Sequence, residues 1–387
     1  MAKLKSIVGP NEKKSPKYKA VIIGLGGIGN SWLRAIRQHP DWECIGIVDT
    51  DTELLENLER FGFSEDQGFI SIEDAVQFGE KPDVAIIGTP IYSHHSLTRE
   101  VMDLGINCIC EKNMASNIYQ GRQMVQKAID HPELCSAVGT QYRYEVKSWT
   151  AKKFFMEQPC PIGTLGMIKW DSNDYRGESR WGWRRFLPEI YCEDMSVHWF
   201  DTIRYVTQMD IVEIKATTFM PRYSDWHGSS ELFAQFALAT PDDYHHRHNW
   251  VWCQLYGGWQ RRGPTGESFE FYGSDGQAKM TAGWGMELKL YTDKNDSRKF
   301  DEDGFLPVQD VENLGTNFTG QMIILEQMGL GIESKGKRKP GTNFCEAFKS
   351  FAVAMGAIES SRTGNTIWVP DYWKDMPELA NNPSKFY

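Results

Sequence analysis

Two hydrophobic rhythms run along the chain, and they change over near residue 142. Before that point, short runs with little polar interruption alternate with stretches in which apolar residues return every three or four positions. Ala20-Val21-Ile22-Ile23, Cys44-Ile45-Gly46-Ile47-Val48 and Val84-Ala85-Ile86-Ile87 are of the first kind; Ile28, Trp32, Leu33 and Ile36, then Leu97, Val101 and Leu104, are of the second. A strand with no polar face is one covered on both sides, so this half predicts an α/β domain with a parallel sheet between helices. Further strands are expected at 107–110 and 138–141. Beyond 142, after a helix over 146–157, the period becomes two, at 167–171, 215–219, 232–236 and 287–291. Those runs predict an α+β domain with a large, mostly antiparallel open-faced sheet. A helix over 193–207 interrupts it, and a late helix over 344–360 is expected to return to the first domain.

The first strand runs into Gly24-Leu25-Gly26-Gly27-Ile28-Gly29, and the helical repeat begins inside that motif. This is GxGxxG in its required setting, strand to tight turn to helix. Gly24 permits the turn, Gly26 lets the backbone approach a pyrophosphate, and Gly29 allows close helix–strand packing, with Gly27 and Ile28 completing the cradle. Phosphates suit the N–H groups at the start of the helix. The second strand ends in Asp49, about 20 residues beyond the last motif glycine, where an acid takes the ribose hydroxyls. Asp51 adds negative charge and no Lys or Arg follows closely, so NAD is expected over NADP. Later strands end in Thr89-Pro90, in Glu111-Lys112 and in Gln141, which is where open α/β sheets place their ligands. The chain is therefore divided into an arm (1–17), a Rossmann dinucleotide-binding domain (18–141) and a substrate-binding and oligomerisation domain (142–387).

Composition narrows the partners. The 387 residues carry a formal net charge of −10, which opposes a phosphate backbone and argues against nucleic acid. No stretch nears the ~18 apolar residues of a membrane span, and the basic start has no apolar core of a signal peptide, so a cytoplasmic location is expected. Eight cysteines without CxxC spacing fit reduced thiols. His245-His246-Arg247-His248 follows Pro241-Asp242-Asp243 and reads as a solvated loop, and no metal site is expected. Of 14 Trp, most lie beyond residue 140, where an indole either faces a sugar ring or fills the core.

With GLGGIG (24–29), TPIYSH (89–94), EKNMA (111–115) and EDMSVHWFD (193–201) in place, the chain resembles the Gfo/Idh/MocA family of NAD(P)-dependent oxidoreductases. The resemblance covers nearly everything after the arm. It departs at Asn113, where the family usually has proline, and at Glu189-Ile190-Tyr191-Cys192, where a glycine run is usual. It implies that Lys112 and His198 contact the reacting hydroxyl with Asp194 beside them, and that His94, Glu111 and Gln141 line the cofactor site. It also implies that Trp183 and Arg184 sit near the nicotinamide, and that the free sheet face pairs subunits into a homodimer or homotetramer.

The residues themselves support part of this. Asp194, His198 and Asp201 are spaced i, i+4 and i+7, so a regular helix puts all three on one face. A histidine held by a neighbouring carboxylate can take a hydroxyl proton near neutral pH, and Lys112 can stabilise negative charge on oxygen or share the proton. Four Arg and two Trp crowd residues 176–185. Arg176, Arg180 and Trp181 there form either a sugar platform with an anion clamp or a salt-bridged loop. Tyr142 and Arg143 are counted with them as substrate-facing. The expected activity is hydride transfer between a ring hydroxyl of a sugar, glycoside or cyclitol and NAD. The alternative is a redox-neutral glycoside hydrolase acting by transient oxidation, elimination, hydration and re-reduction.

Overall fold

Ala20, Val21, Ile22 and Ile23 are all but inaccessible, and so are Val84, Ala85, Ile86 and Ile87, as a doubly covered sheet requires. In the computed structural model, which describes residues 15–156, 158–177, 182–262, 266–282, 288–292, 306–307 and 320–380, these runs are neighbouring parallel strands. The first domain alternates β1 (Tyr18–Ile23), α1 (Gly27–Gln38), β2 (Trp42–Val48), α2 (Thr52–Leu55), β3 (Gly68–Phe69) and α3 (Ile72–Phe78). It continues through β4 (Val84–Ile87), α4 (Ile91–Asp103), β5 (Asn107–Cys110), α5 (Ile118–Asp130) and β6 (Ser136–Val138). The six strands lie in the order β3-β2-β1-β4-β5-β6, all parallel. Strand order therefore reverses between β1 and β4, and ligands of such sheets bind at that crevice.

The second half begins with α6 (Val146–Met156) and β7 (Leu165–Asn173), and a π-helical segment, Cys192–Ser196, then leads into α7 (Val197–Thr207). Next come β8 (Asp210–Phe219), β9 (Glu231–Ala239), β10 (Val251–Gly258), β11 (Gly266–Gly273), β12 (Gly276–Ala282), β13 (Leu288–Thr292) and β14 (Leu306–Pro307). α8 (Gly320–Glu333), α9 (Phe344–Thr363), β15 (Ile367–Trp368) and α10 (Pro377–Ala380) complete it. The nine strands run β14-β13-β12-β11-β7-β10-β9-β8-β15, antiparallel throughout except where β7 meets β10. Along β10, Val251, Cys253 and Leu255 are buried while Trp252 is exposed, the alternation of a sheet with one covered face. Met167 and Phe233 are exposed as well.

α7 is the hub of the covered face, and each of its eleven residues is buried. Trp199 meets Trp170 edge to face at 5.7 Å, and Phe200 meets Phe236 at 5.6 Å. Trp32, Trp170, Trp199, Trp226, Trp259 and Trp373 are buried, so for these the core-filling reading of the tryptophans holds. α9 returns to the first domain as expected: a Cβ on Gly121 of α5 would press against Phe348 and Phe351. The eight cysteines are free thiols. His245, His246 and His248 are exposed in a loop. No helix among the described residues is long and apolar enough to cross a membrane.

Arg143 corrects the sequence expectation. Its guanidinium is committed to the core: it is fully buried, with Nε donating to Asp201 Oδ2 at 2.6 Å and Nη1 to Gly341 O at 2.7 Å. Its Nη2 pairs with Asp201 Oδ1, which also accepts from Ser350 Oγ at 3.0 Å. The guanidinium thus clamps α7 to the segment that leads into α9, and Ser350 ties the same carboxylate to α9 itself. A second buried group repeats the device, with Arg204 Nε and Lys349 Nζ on Asp210 at 3.0 and 2.9 Å. Removing one partner of a buried pair strands the other charge. Asp201→Ala should therefore lower stability by about 3–5 kcal/mol in urea unfolding. A loss below about 1 kcal/mol would return Arg143 to the substrate pocket.

Candidate active site

The glycine turn at the β1–α1 junction fits its expected use. Gly24 has φ +88°, a conformation that favours glycine, and a Cβ on Gly29 would run into the Gly24 carbonyl. Gly26 and Gly27 instead face open space, with no atom within 4 Å of a Cβ built there. A close backbone approach by a pyrophosphate needs that vacancy. Ile28 packs against the core behind them. Asp49 supports the turn: its Oδ2 accepts from Leu25 N at 2.8 Å and its Oδ1 from Asp51 N at 3.1 Å. Across the crevice, Thr89 Oγ1 accepts from Ser93 Oγ at 2.7 Å and Pro90 opens α4. Buried polar atoms without partners gather at the strand ends, among them Thr140 Oγ1 and Gln141 Oε1. Open glycines, an acid at the end of β2 and unmet polar atoms together fit a dinucleotide.

His94 and Glu111 brace this crevice from below. The buried His94 ring spans two carbonyls, with Nδ1 2.7 Å from Asn113 O and Nε2 2.9 Å from Thr89 O. It thereby links the ends of β4 and β5. Burial pushes its pKa down. Glu111 accepts from Trp32 Nε1 at 2.8 Å and from Lys112 N at 3.2 Å, and burial pushes its carboxyl up.

Lys112 leaves the end of β5 and reaches the second domain. Its Nζ donates to Asp194 O at 2.5 Å and to Asp194 Oδ1 at 2.9 Å. Arg184, in the turn Gly182–Phe186, puts Nε on the same Oδ1 at 2.8 Å. Burial alone would raise the Asp194 pKa, but Lys112 and Arg184 hold its carboxyl well below the usual range. Trp183 meets Tyr92 of α4 edge to face at 6.2 Å, so this turn reaches over to the first domain. Arg184 was expected beside a nicotinamide; in the structure it is a second cation on the catalytic-motif carboxylate.

The expected Asp194–His198 pairing does not form. The two lie i, i+4, but residues 192–196 are π-helical, and an i→i+5 turn shifts the side-chain register that a regular helix would give. Asp201, third on the supposed face, is committed to Arg143. His198 is instead stacked on Tyr142, ring centroids 4.1 Å apart and planes 13° from parallel, and its Nδ1 is buried without a partner. Burial first, then the Lys112 charge, hold its pKa well below the ordinary histidine value, so the ring is neutral. Tyr142 keeps its proton too, its pKa pushed up to about 12 by burial. Arg176 donates to Asp174 Oδ2 at 2.8 Å and lies over Trp259. Arg180 and Trp181 lie outside the described residues. No group of three His, Cys, Asp or Glu suited to a metal occurs among the described residues.

A glycine cradle at the switch point of a parallel sheet is the arrangement of a dinucleotide-binding Rossmann domain. Residues 18–138 match the Gfo/Idh/MocA family profile, described as "Oxidoreductase family, NAD-binding Rossmann fold". D-apiose dehydrogenase of Paraburkholderia graminis is 23% identical over 208 residues, 52% of each chain. Among solved structures, an oxidoreductase from Agrobacterium radiobacter in complex with NAD+, L-tartaric acid and magnesium superposes with a TM-score of 0.75 at 16% identity, covering 92% of this chain and 99% of that one. Myo-inositol 2-dehydrogenase from Lactobacillus plantarum gives 0.69 at 20% identity, covering 91% and 99%. These likenesses establish the fold over both domains.

The neutral His198 has a consequence for stability. Below the ordinary histidine range, near pH 6.5, the unfolded chain binds a proton that the folded ring refuses, so stability falls as pH drops from there toward the lowered folded value. Each such histidine contributes about 1.4 kcal/mol per pH unit within that window. His198→Phe, which keeps the stack on Tyr142, should flatten the stability–pH slope between about pH 6 and 5 by that amount. Equal slopes in urea unfolding would mean that His198 is charged in the folded protein.

Proposed function

We propose that the chain is an NAD-dependent dehydrogenase that oxidises a ring CH–OH of a sugar, glycoside or cyclitol to the ketone, or reduces the ketone. The observation that carries this reading is the meeting of Lys112 with Asp194, beside a neutral His198, across the two domains. NAD+ held at the glycine turn would supply the hydride acceptor, and the side chains manage the proton and the charge. His198 takes the hydroxyl proton, since it is the neutral base of the group. Lys112, held by Asp194, stabilises negative charge growing on the same oxygen. Gly26, Gly27 and Asp49 hold the pyrophosphate and ribose, Gln141 lines the cofactor site, and Tyr142 faces the substrate. The D-apiose and myo-inositol dehydrogenases among the relatives agree with a polyol substrate.

NADH formation on D-apiose, myo-inositol, D-glucose and a set of nitrophenyl glycosides tests the reading. Net NADH supports a dehydrogenase. Nitrophenol release without net NADH would replace it by the redox-neutral glycosidase, and neither signal would remove both. Lys112→Ala and His198→Ala should each lower kcat by about 100-fold or more. NADH affinity should stay within about twofold of the native protein, because the phosphate and ribose contacts lie elsewhere.

Cofactor choice follows from Asp49. A 2′-phosphate would meet the carboxylates of Asp49 and Asp51, so NAD(H) should bind more tightly than NADP(H). Asp49→Ala should narrow that gap in a fluorescence titration. Equal or tighter NADP(H) binding by the native protein would overturn the assignment.

A further inference from the structure

We propose that Asn113 is a positioning residue for this reaction: its carboxamide fixes the turn that sets Lys112 against Asp194. The proposal rests on the dehydrogenase reading for its consequence in turnover, and on the structure alone for its geometry.

Three successive carbonyls of the π-helical segment are gripped by two successive side chains of the first domain. Asn113 Nδ2 lies 3.3 Å from Cys192 O and donates to Glu193 O at 2.7 Å, and Lys112 Nζ takes Asp194 O at 2.5 Å. A planar NH2 group carries two hydrogens and can serve two carbonyls at once. Leucine of similar size offers none, and the proline of the resembling family has no side-chain donor either. The π turn makes these oxygens available to side chains: Cys192 O also accepts from Ser196 Oγ at 3.0 Å. The other side of Asn113 is fixed as well, because its backbone oxygen sits 2.7 Å from His94 Nδ1.

Burial argues that the donors are the reason for the residue. Asn113 is 1% exposed and its Oδ1 has no partner. An amide buried with an unmet acceptor is a poor packing residue. It is held in place by what its NH2 does. The domains approach each other here with a lysine whose reach is long and flexible. Asn113, one residue on and much shorter, removes the freedom of the turn that Lys112 would otherwise keep.

Asn113→Leu, Asn113→Ala, Lys112→Ala and the two double variants test this, with crystal structures of the Asn113 variants. The assay is NADH formation on whichever panel compound the native protein oxidises fastest. Asn113→Leu should lower kcat by about 10- to 100-fold, leave NADH affinity within about twofold, and change the pH profile of kcat. Combined with Lys112→Ala it should add nothing further, because Lys112 is then no longer there to be placed. In the crystal, Lys112 Nζ should leave hydrogen-bond distance of Asp194 O. A kcat within about twofold, losses that multiply with Lys112→Ala, or an unmoved Lys112 would each overturn the proposal. Should Asn113→Leu not fold, Asn113→Ala decides on the same measurements. If the native protein oxidises nothing in the panel, the dehydrogenase reading fails. The position of Lys112 in the variant crystals then still decides the geometric claim.

Discussion

The ion pair between Lys112 and Asp194 joins two domains that the sequence builds on different principles. One partner stands at the end of a parallel strand, the other at the start of a helix laid against an antiparallel sheet. Their side chains are 10% and 6% exposed, so each charge would be costly without the other. Arg184 supplies a second cation to the same oxygen. Burial is the first cause of the neutrality of His198, and the Lys112 charge adds to it, while Asp194 pulls the other way.

The rest of the second domain serves to hold α7 still. Its whole length is buried, and two charged residues on it are paired within the core: Asp201 with Arg143 and Ser350, Arg204 with Asp210. Such pairs are weak sources of stability compared with apolar packing, but breaking one is expensive. They therefore resist rotation or sliding of the helix more than they add to net stability. His198, orphaned at Nδ1 and oriented by the Tyr142 ring, depends on that rigidity, because no hydrogen bond at that atom sets its direction.

Much of the first domain was legible because its signals are local. Uninterrupted apolar runs gave the strands, and the glycines of 24–29 and Asp49 act through backbone geometry at short range. The sheet of the second domain was legible in kind from period two, and α9 from its spaced phenylalanines. What failed were readings that needed partners far along the chain. Arg143 follows a strand end, where ligands bind, yet its carboxylate partner is 58 residues away. The i, i+4 spacing of Asp194 and His198 assumes a regular helix, and nothing in EDMSVHWFD announces a π turn. Arg184 stood out in its arginine-rich stretch, but its partner was not readable there. Asn113 was visible only as a departure, with its two acceptors about 80 positions downstream.

The carboxylate is the least replaceable member of the group, for a reason that burial makes quantitative in sign. Taking away Lys112 leaves Asp194 facing Arg184, and taking away Arg184 leaves it facing Lys112; in either case the buried anion keeps a counter-charge. Taking away Asp194 leaves two cations beside each other with their shared anion gone, in a site where water screens little. The lysine would then be driven toward its neutral form or out toward solvent. Either response removes the charge that stabilises the substrate oxygen. Asp194 touches none of the bonds that change in hydride transfer under this reading. It determines where the positive charge stands while they change.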